Sequence, residues 1–147
     1  MAALETPTPS GRPAITAALA RGVCRLLADH GLAPVLEVPL ANGRRADILA
    51  LDPRGDIWIV ETKSGIADFE ADAKWPDYLP FCDAFYFAVA EDFPHKRIDP
   101  GCGLIVADGF GGEILRPAPL VPLAPARRKA MTLAFARLAA ARLLRDV

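Results

Sequence analysis

The chain has 147 residues, 52% hydrophobic and 24% charged, with a formal net charge of −1. That length suits one domain with a single core, and the near-neutral balance excludes a globally basic coat while leaving room for a local patch of Arg21, Arg25, Arg44, Arg45, Lys74, Lys96 and Arg97. Three widely spaced cysteines without a CxxC pair exclude a disulfide framework and structural zinc, and the lack of a leader or of an apolar run near the ~18 residues of a membrane span makes the cytoplasm, with no membrane partner, the expected location.

Residues 1–12, rich in Pro, Ser and Thr, read as a flexible N-terminus, and residues 13–147 as one domain. From 13 to 30 the apolar positions Ile15, Leu19, Val23, Leu26 and Leu27 recur at helical spacing, and Gly31 supplies a stop. Gly22 inside this helix either admits a neighbouring backbone or merely weakens it. Three strands follow. The first, 34–40, ends at an Asn42-Gly43 turn, and the second, 45–51, at Asp52-Pro53-Arg54-Gly55. The third, 56–63, carries Ile57-Trp58-Ile59-Val60, the pattern of a central strand covered on both faces.

Residues 66–79 read as a second helix, kinked or broken early near Trp75 by Pro76. The run Phe85-Tyr86-Phe87-Ala88-Val89 makes 83–90 a buried strand, expected parallel to an earlier one after a helical crossover. Shorter strands at 103–107 and 113–116 flank Asp108-Gly109-Phe110-Gly111-Gly112, which reads as a hairpin turn because no helix follows it to make a phosphate loop. A proline-rich connector, 117–125, leads to a last helix at 126–145. Its apolar stripe is expected through Met131, Leu133, Ala134, Leu138, Leu143 and Leu144, with arginines opposite. The order is that of an α/β fold: an α-β-β-β-α-β core with a mixed central sheet, two extra C-terminal strands and a C-terminal helix.

Asp47, Glu61 and Lys63 stand at the ends of apolar strands, where burying charge is costly unless it is paired or holds a metal. Side chains alternate along a strand, so Glu61 and Lys63 share a face. Pairing through the 52–55 turn brings Asp47 toward the end of the strand that carries Glu61. Two carboxylates with the Thr62 carbonyl suit a hard divalent cation, Mg²⁺ or Mn²⁺. Such an ion acidifies water and stabilises charge on a phosphate, while Lys63 can hold the nucleophilic water. The competing reading is a plain ion pair between Lys63 and either acid. Arg44 and Arg45, just before Asp47, can meet phosphates or simply be solvated.

These residues carry a resemblance. Asp47 with Glu61-Thr62-Lys63 on this frame is similar to the PD-(D/E)xK nuclease superfamily, whose core is restriction-endonuclease-like. Gly43-Arg44-Arg45-Ala46-Asp47-Ile48-Leu49-Ala50-Leu51, Val60 to Phe69 and Lys74 to Asp83, with Phe85-Tyr86-Phe87-Ala88-Val89, resemble the MmcB-like DNA repair proteins of bacteria. The resemblance implies a metal-dependent DNA endonuclease of repair, with Asp47, Glu61 and Lys63 catalytic and Asp47, Glu61 and Thr62 on the metal. Ala46 stands where the superfamily name has proline. Many members also carry a first-helix glutamate, which is missing here, and Glu37 is the nearest replacement; otherwise Glu37 is solvated or paired with Arg44 or Arg45. Lys74-x-x-x-Tyr78 falls where some members have glutamine and tyrosine, so these two are further assisting candidates, provided that both lie on one helix face. Tyr78 can stack on a base or pack, Trp75 is expected to pack on the sheet, and Asp68 with Asp72 reads as a solvated acidic patch. Arg44, Arg45 and Lys74 are the DNA-binding candidates. The alternative is a catalytically silent module that binds DNA or a repair-protein partner. A chain this small has little surface with which to grip duplex DNA, so a homodimer through the last helix is expected.

Overall fold

Short apolar runs separated by glycine turns lay down a six-stranded sheet, which the computed structural model resolves in detail over residues 12–71 and 74–147. The tail expected over 1–12 falls outside these residues except for Arg12, and so does Asp72. Helix α1 (Arg12–Asp29) is followed by β1 (Ala33–Pro39), β2 (Arg45–Leu51) and β3 (Ile57–Thr62). After α2 (Ile66–Ala71) come β4 (Ala84–Val89), β5 (Gly103–Ala107), β6 (Gly112–Arg116) and α3 (Pro125–Arg145). The strands lie side by side in chain order. β1–β2, β2–β3 and β5–β6 pair antiparallel, while β3–β4 and β4–β5 pair parallel, so the sheet is mixed as expected. Gly43 and Gly55 take φ of 85° and 89° in the two hairpin turns, where a side chain would be strained.

Each face of the sheet buries its own core. On one, Leu19, Val23, Leu26 and Leu27 of α1 cover Ile48, Val60, Ala88 and Ile105. On the other, Tyr78, Phe81 and Met131 cover Leu49, Ile59, Phe85 and Phe87. β3 contributes to both, as its continuous apolar run implied. In β1 and β2 the strict alternation breaks. Val35 and Val38 pack into one core although three residues apart, and so do Ala46 and Leu49. Glu37 lies between the first pair with φ 51°, and Asp47 between the second. The register holds across the break, with Leu36 on Ile48 and Val38 on Ala46. Both strands thus change faces opposite one another, at the two acids singled out from the sequence.

The second helix is shorter than its pattern suggested. α2 ends at Ala71, and Trp75–Phe81 forms a 3-10 turn carrying Pro76 and Pro80. Two prolines in seven residues remove amide donors and crowd the preceding turn, so an α-helix cannot continue there. Trp75 packs as expected, stacked on Phe85 at 5.7 Å. In α3 the buried stripe is Met131, Phe135 and Leu138, whereas Leu133, Leu143 and Leu144 are exposed. Apolar residues surround this helix, so periodicity left the phase of its buried face open.

What fastens α3 is Asp83, a residue whose sequence context marks it only as opening a strand. Its Oδ2 accepts the Ile57 amide at 2.7 Å and Arg128 Nη1 at 2.8 Å. Its Oδ1 accepts the Leu123 amide at 2.8 Å and the second Arg128 nitrogen. Its own amide donates to the Ile57 carbonyl at 2.7 Å, and its carbonyl accepts from Val121 at 2.9 Å. One carboxylate therefore joins β3, the proline-rich connector and α3.

Gly22 does admit a backbone. A Cβ built on it would lie 1.8 Å from the Asp108 carbonyl oxygen, which seats the β5–β6 turn on α1. In an open helix Gly→Ala gains about 1 kcal/mol. Here the contact is with main chain, and overpacking of about 1–3 kcal/mol is set against that gain. Gly22→Ala is expected to lower the urea midpoint with an unchanged m-value, and a raised midpoint would show that the turn yields.

Candidate metal centre

The β2–β3 ladder ends at the Ile48–Val60 pair, and past it two amides lose their cross-strand acceptors. The two acids supply replacements reciprocally. Asp47 N–H donates to Glu61 Oε1 at 2.8 Å, and Thr62 N–H donates to Asp47 Oδ2 at 2.9 Å. The Thr62 hydroxyl adds a second bond to Asp47 Oδ2 at 3.1 Å. Each carboxylate has one oxygen fixed in place by the backbone, which leaves the other for chemistry.

Burial first, and then the negative charge of Asp47, push the Glu61 pKa up to about 9, against the weaker opposing pull of the Asp47 amide and the Lys63 charge. Glu61, Thr62 and Lys63 are all buried, and the Lys63 amide extends the parallel ladder by donating to the Ala88 carbonyl at 3.0 Å. The structure thus brings Asp47, Glu61, Thr62 and Lys63 together, as the spacing predicted.

Asp47 and Thr62 open onto a cavity of about 790 Å³ between the sheet and α1. Its rim carries Arg21, Glu37, Arg142 and Arg145, and small α1 residues such as Ala17 and Ala20 line it. Glu61 and Lys63 do not reach this wall; they are buried behind it. Glu37 is exposed on the rim and is not held by Arg44 or Arg45. Instead its carbonyl accepts Arg142 Nη2 at 2.8 Å, and the Leu36 carbonyl accepts the other nitrogen. Arg142 thereby holds the left-handed turn of β1 in place.

The remaining candidates sit elsewhere. Arg44 pairs with Asp77 at 3.2 Å, and Arg45 is exposed, its carbonyl accepting the Tyr78 hydroxyl at 3.4 Å. Tyr78 is buried and stacks on Phe85, and Lys74 is exposed just before the 3-10 turn. The shared helix face expected for Lys74 and Tyr78 does not form, because their segment is not an α-helix. Of the basic residues that were expected to converge, Arg21 reaches the cavity, whereas Arg97 pairs with Glu70. Arg142 and Arg145 were missed. They come from the far end of the chain, and no local pattern ties them to Asp47.

Among the described residues, no group of three or more His, Cys, Asp or Glu side chains is placed to hold a metal ion. Two carboxylates still fit a magnesium-like ion, which keeps several waters and binds one or two protein carboxylates together with substrate phosphate. The donor set is all oxygen, and two carboxylates brought this close suit a cation between them.

A mixed α/β domain with a coupled carboxylate pair and a buried lysine on adjacent central strands is the class these observations define. The chain belongs to the MmcB-like family of DNA repair proteins, and the match covers residues 4–147. It is also similar to a solved structure described as SPO1766 protein of unknown function from Silicibacter pomeroyi. The two are 46% identical with a TM-score of 0.85, over 95% of this chain and 93% of that one. A comparison with curated proteins gives no match. Among the described residues, no helix is long and apolar enough to cross a membrane.

Proposed function

We propose that the chain hydrolyses phosphodiester bonds in DNA as a metal-dependent endonuclease of the PD-(D/E)xK type. The observation that carries this reading is the hydrogen-bonded pair of Asp47 and Glu61 beside Lys63, built where two central strands part. Membership of a DNA repair family supports DNA as the substrate class. Asp47, Glu61 and the Thr62 carbonyl are the residues that would hold Mg²⁺ or Mn²⁺. Such an ion, when bound, supplies Lewis acidity and lowers the pKa of water. Asp47 is held rigid by the Thr62 amide and hydroxyl, so its free oxygen needs no reorganisation to act. Lys63, buried beside Glu61, would orient the attacking water and offset charge on the phosphorane. Glu37, on the cavity rim, would take a proton from that water.

The test is incubation of single-stranded, duplex, flapped and abasic DNA with Mn²⁺. Cleavage is expected in the parent and is expected to fall by at least 10²-fold in Asp47→Ala and Lys63→Ala. A second reading rests on the absence, among the described residues, of a third acid beside the pair: a silent module that binds DNA or a repair partner. Binding without cleavage of any of the four substrates favours that second reading.

A further inference from the structure

The turn between β5 and β6 presents a ring that the fold does not use. Phe110 is 80% exposed. A lone exposed aromatic is ordinary, but the backbone beneath this one is held from three sides. Asp108 Oδ1 accepts the amides of Phe110 at 2.7 Å and Gly111 at 3.0 Å. The Asp108 amide donates to the Gly111 carbonyl at 2.9 Å, and Arg25 Nη1 donates to the Phe110 carbonyl at 3.3 Å. Gly22 lets the turn rest directly on α1. The ring is thus presented to solvent on a preorganised support, which lowers the entropy lost when something stacks on it.

Two further observations connect this ring to the Asp47 cavity. Arg21 lies one turn before Arg25 on α1. Its guanidinium is 3.8 Å from a methyl built on Gly109, and it also lines the Asp47 cavity. On the other side of α1, a groove of about 800 Å³ runs beneath Phe110. Ala17 walls the cavity and Ala18 walls the groove, so α1 carries a small side chain on the flank of each. Their charges differ. The cavity carries Arg21, Arg142 and Arg145 against Asp47 and Glu37, while the groove carries Glu91, Asp108 and Glu113 with His95 around apolar surface. A phosphate is favoured on the first side and a neutral base on the second.

We propose that the substrate strand is single-stranded or locally unpaired and crosses α1 over Ala17 and Ala18, with a phosphate on Arg21 and a base stacked on Phe110. This rests on the DNA reading above. A paired duplex keeps its base faces buried in its own stack and cannot offer one to Phe110 without unstacking. A chain of net charge −1 also lacks the broad basic surface that holds duplex DNA by its phosphates alone.

Fluorescence anisotropy with short labelled oligonucleotides in Ca²⁺, read across KCl concentrations alongside Mn²⁺ calorimetry of the same proteins, tests it. The parent is expected to prefer the single strand. Phe110→Ala should weaken that binding by about 5- to 100-fold and Phe110→Trp should restore it. Arg21→Gln should reduce the slope of log K against log salt by about 0.7. Mn²⁺ binding is expected to be unchanged in both Phe110 variants. Equal single-strand affinity in Phe110→Ala, or a parent preference for duplex, overturns the proposal and leaves the metal site standing. A parent that binds neither Mn²⁺ nor DNA overturns this proposal and the nuclease reading together.

Discussion

Replacing Asp83 by alanine is expected to lower the unfolding free energy by about 3–5 kcal/mol, the range for breaking a buried, hydrogen-bonded ion pair. The loss exceeds that of a surface pair because Asp83 is 2% exposed and both of its carboxylate oxygens are hydrogen-bonded. Without it, the amides of Ile57 and Leu123 lose their acceptor, and the Arg128 guanidinium is left with the Gly55 carbonyl at 3.0 Å and Asp56 at 3.9 Å. In a chain of this size the melting midpoint should fall by roughly 10–15 °C. The pair also sets an acid limb. Burial works to raise the Asp83 pKa, but the hydrogen bonds from Arg128 and from the Ile57 and Leu123 amides outweigh it, and the folded value lies below the ordinary carboxylate range. Its contribution is therefore complete above the unfolded pKa of about 3.9 and is lost as pH falls through the folded value. Chemical denaturation between pH 2 and 6 should show this limb in the parent and a flatter one in Asp83→Asn. Equal slopes would mean that another carboxylate carries it.

Glu61→Gln is expected to act in the opposite direction on stability while abolishing metal affinity. In the metal-free protein, Glu61 keeps its proton up to about pH 9, whereas an ordinary glutamate loses it near 4.5. Between those values the unfolded chain binds fewer protons than the folded one, so stability falls as pH rises, by up to about 1.4 kcal/mol per unit. Glutamine mimics the protonated acid without titrating. The variant should hold its stability from pH 5 to 9 while the parent declines, as read from denaturation midpoints in EDTA. Mn²⁺ must displace the Glu61 proton, so calorimetry of the parent near pH 7 should give a heat that depends on the buffer's ionisation enthalpy. Glu61→Gln should give no binding heat, and full Mn²⁺ affinity in the variant would remove Glu61 from the site.

Much of the fold could be read from turn chemistry. Asn42-Gly43 and Asp52-Pro53-Arg54-Gly55 set two hairpins, and the second brings Asp47 to Glu61. What escaped reading depended on distance or on phase. Asp83 finds Arg128 forty-five positions away, and neither residue looks unusual among its neighbours. Arg142 reaches Leu36 and Glu37 across more than a hundred positions. In α3, leucines on several sides hid which stripe is buried until Met131, Phe135 and Leu138 were seen against the sheet. The backbone turn at Glu37 leaves no local signature either, since a glutamate in a left-handed conformation is held by its surroundings rather than by its own preference.

The chain-order arrangement of the strands carries a consequence for assembly. Each strand docks on the one made just before it, so the sheet can grow at a single edge through short loop closures. α3 departs from this pattern, because it returns to Asp83 and to the carbonyls of β1. Its docking is the longest-range event and so the natural last step of folding. Arg142 and Arg145 arrive with it, so the cavity beside Asp47 gains two of its three rim arginines only once the rest of the domain has formed. The full charge of that rim is a late product of folding, and an intermediate with α3 undocked would set the acids against Arg21 alone.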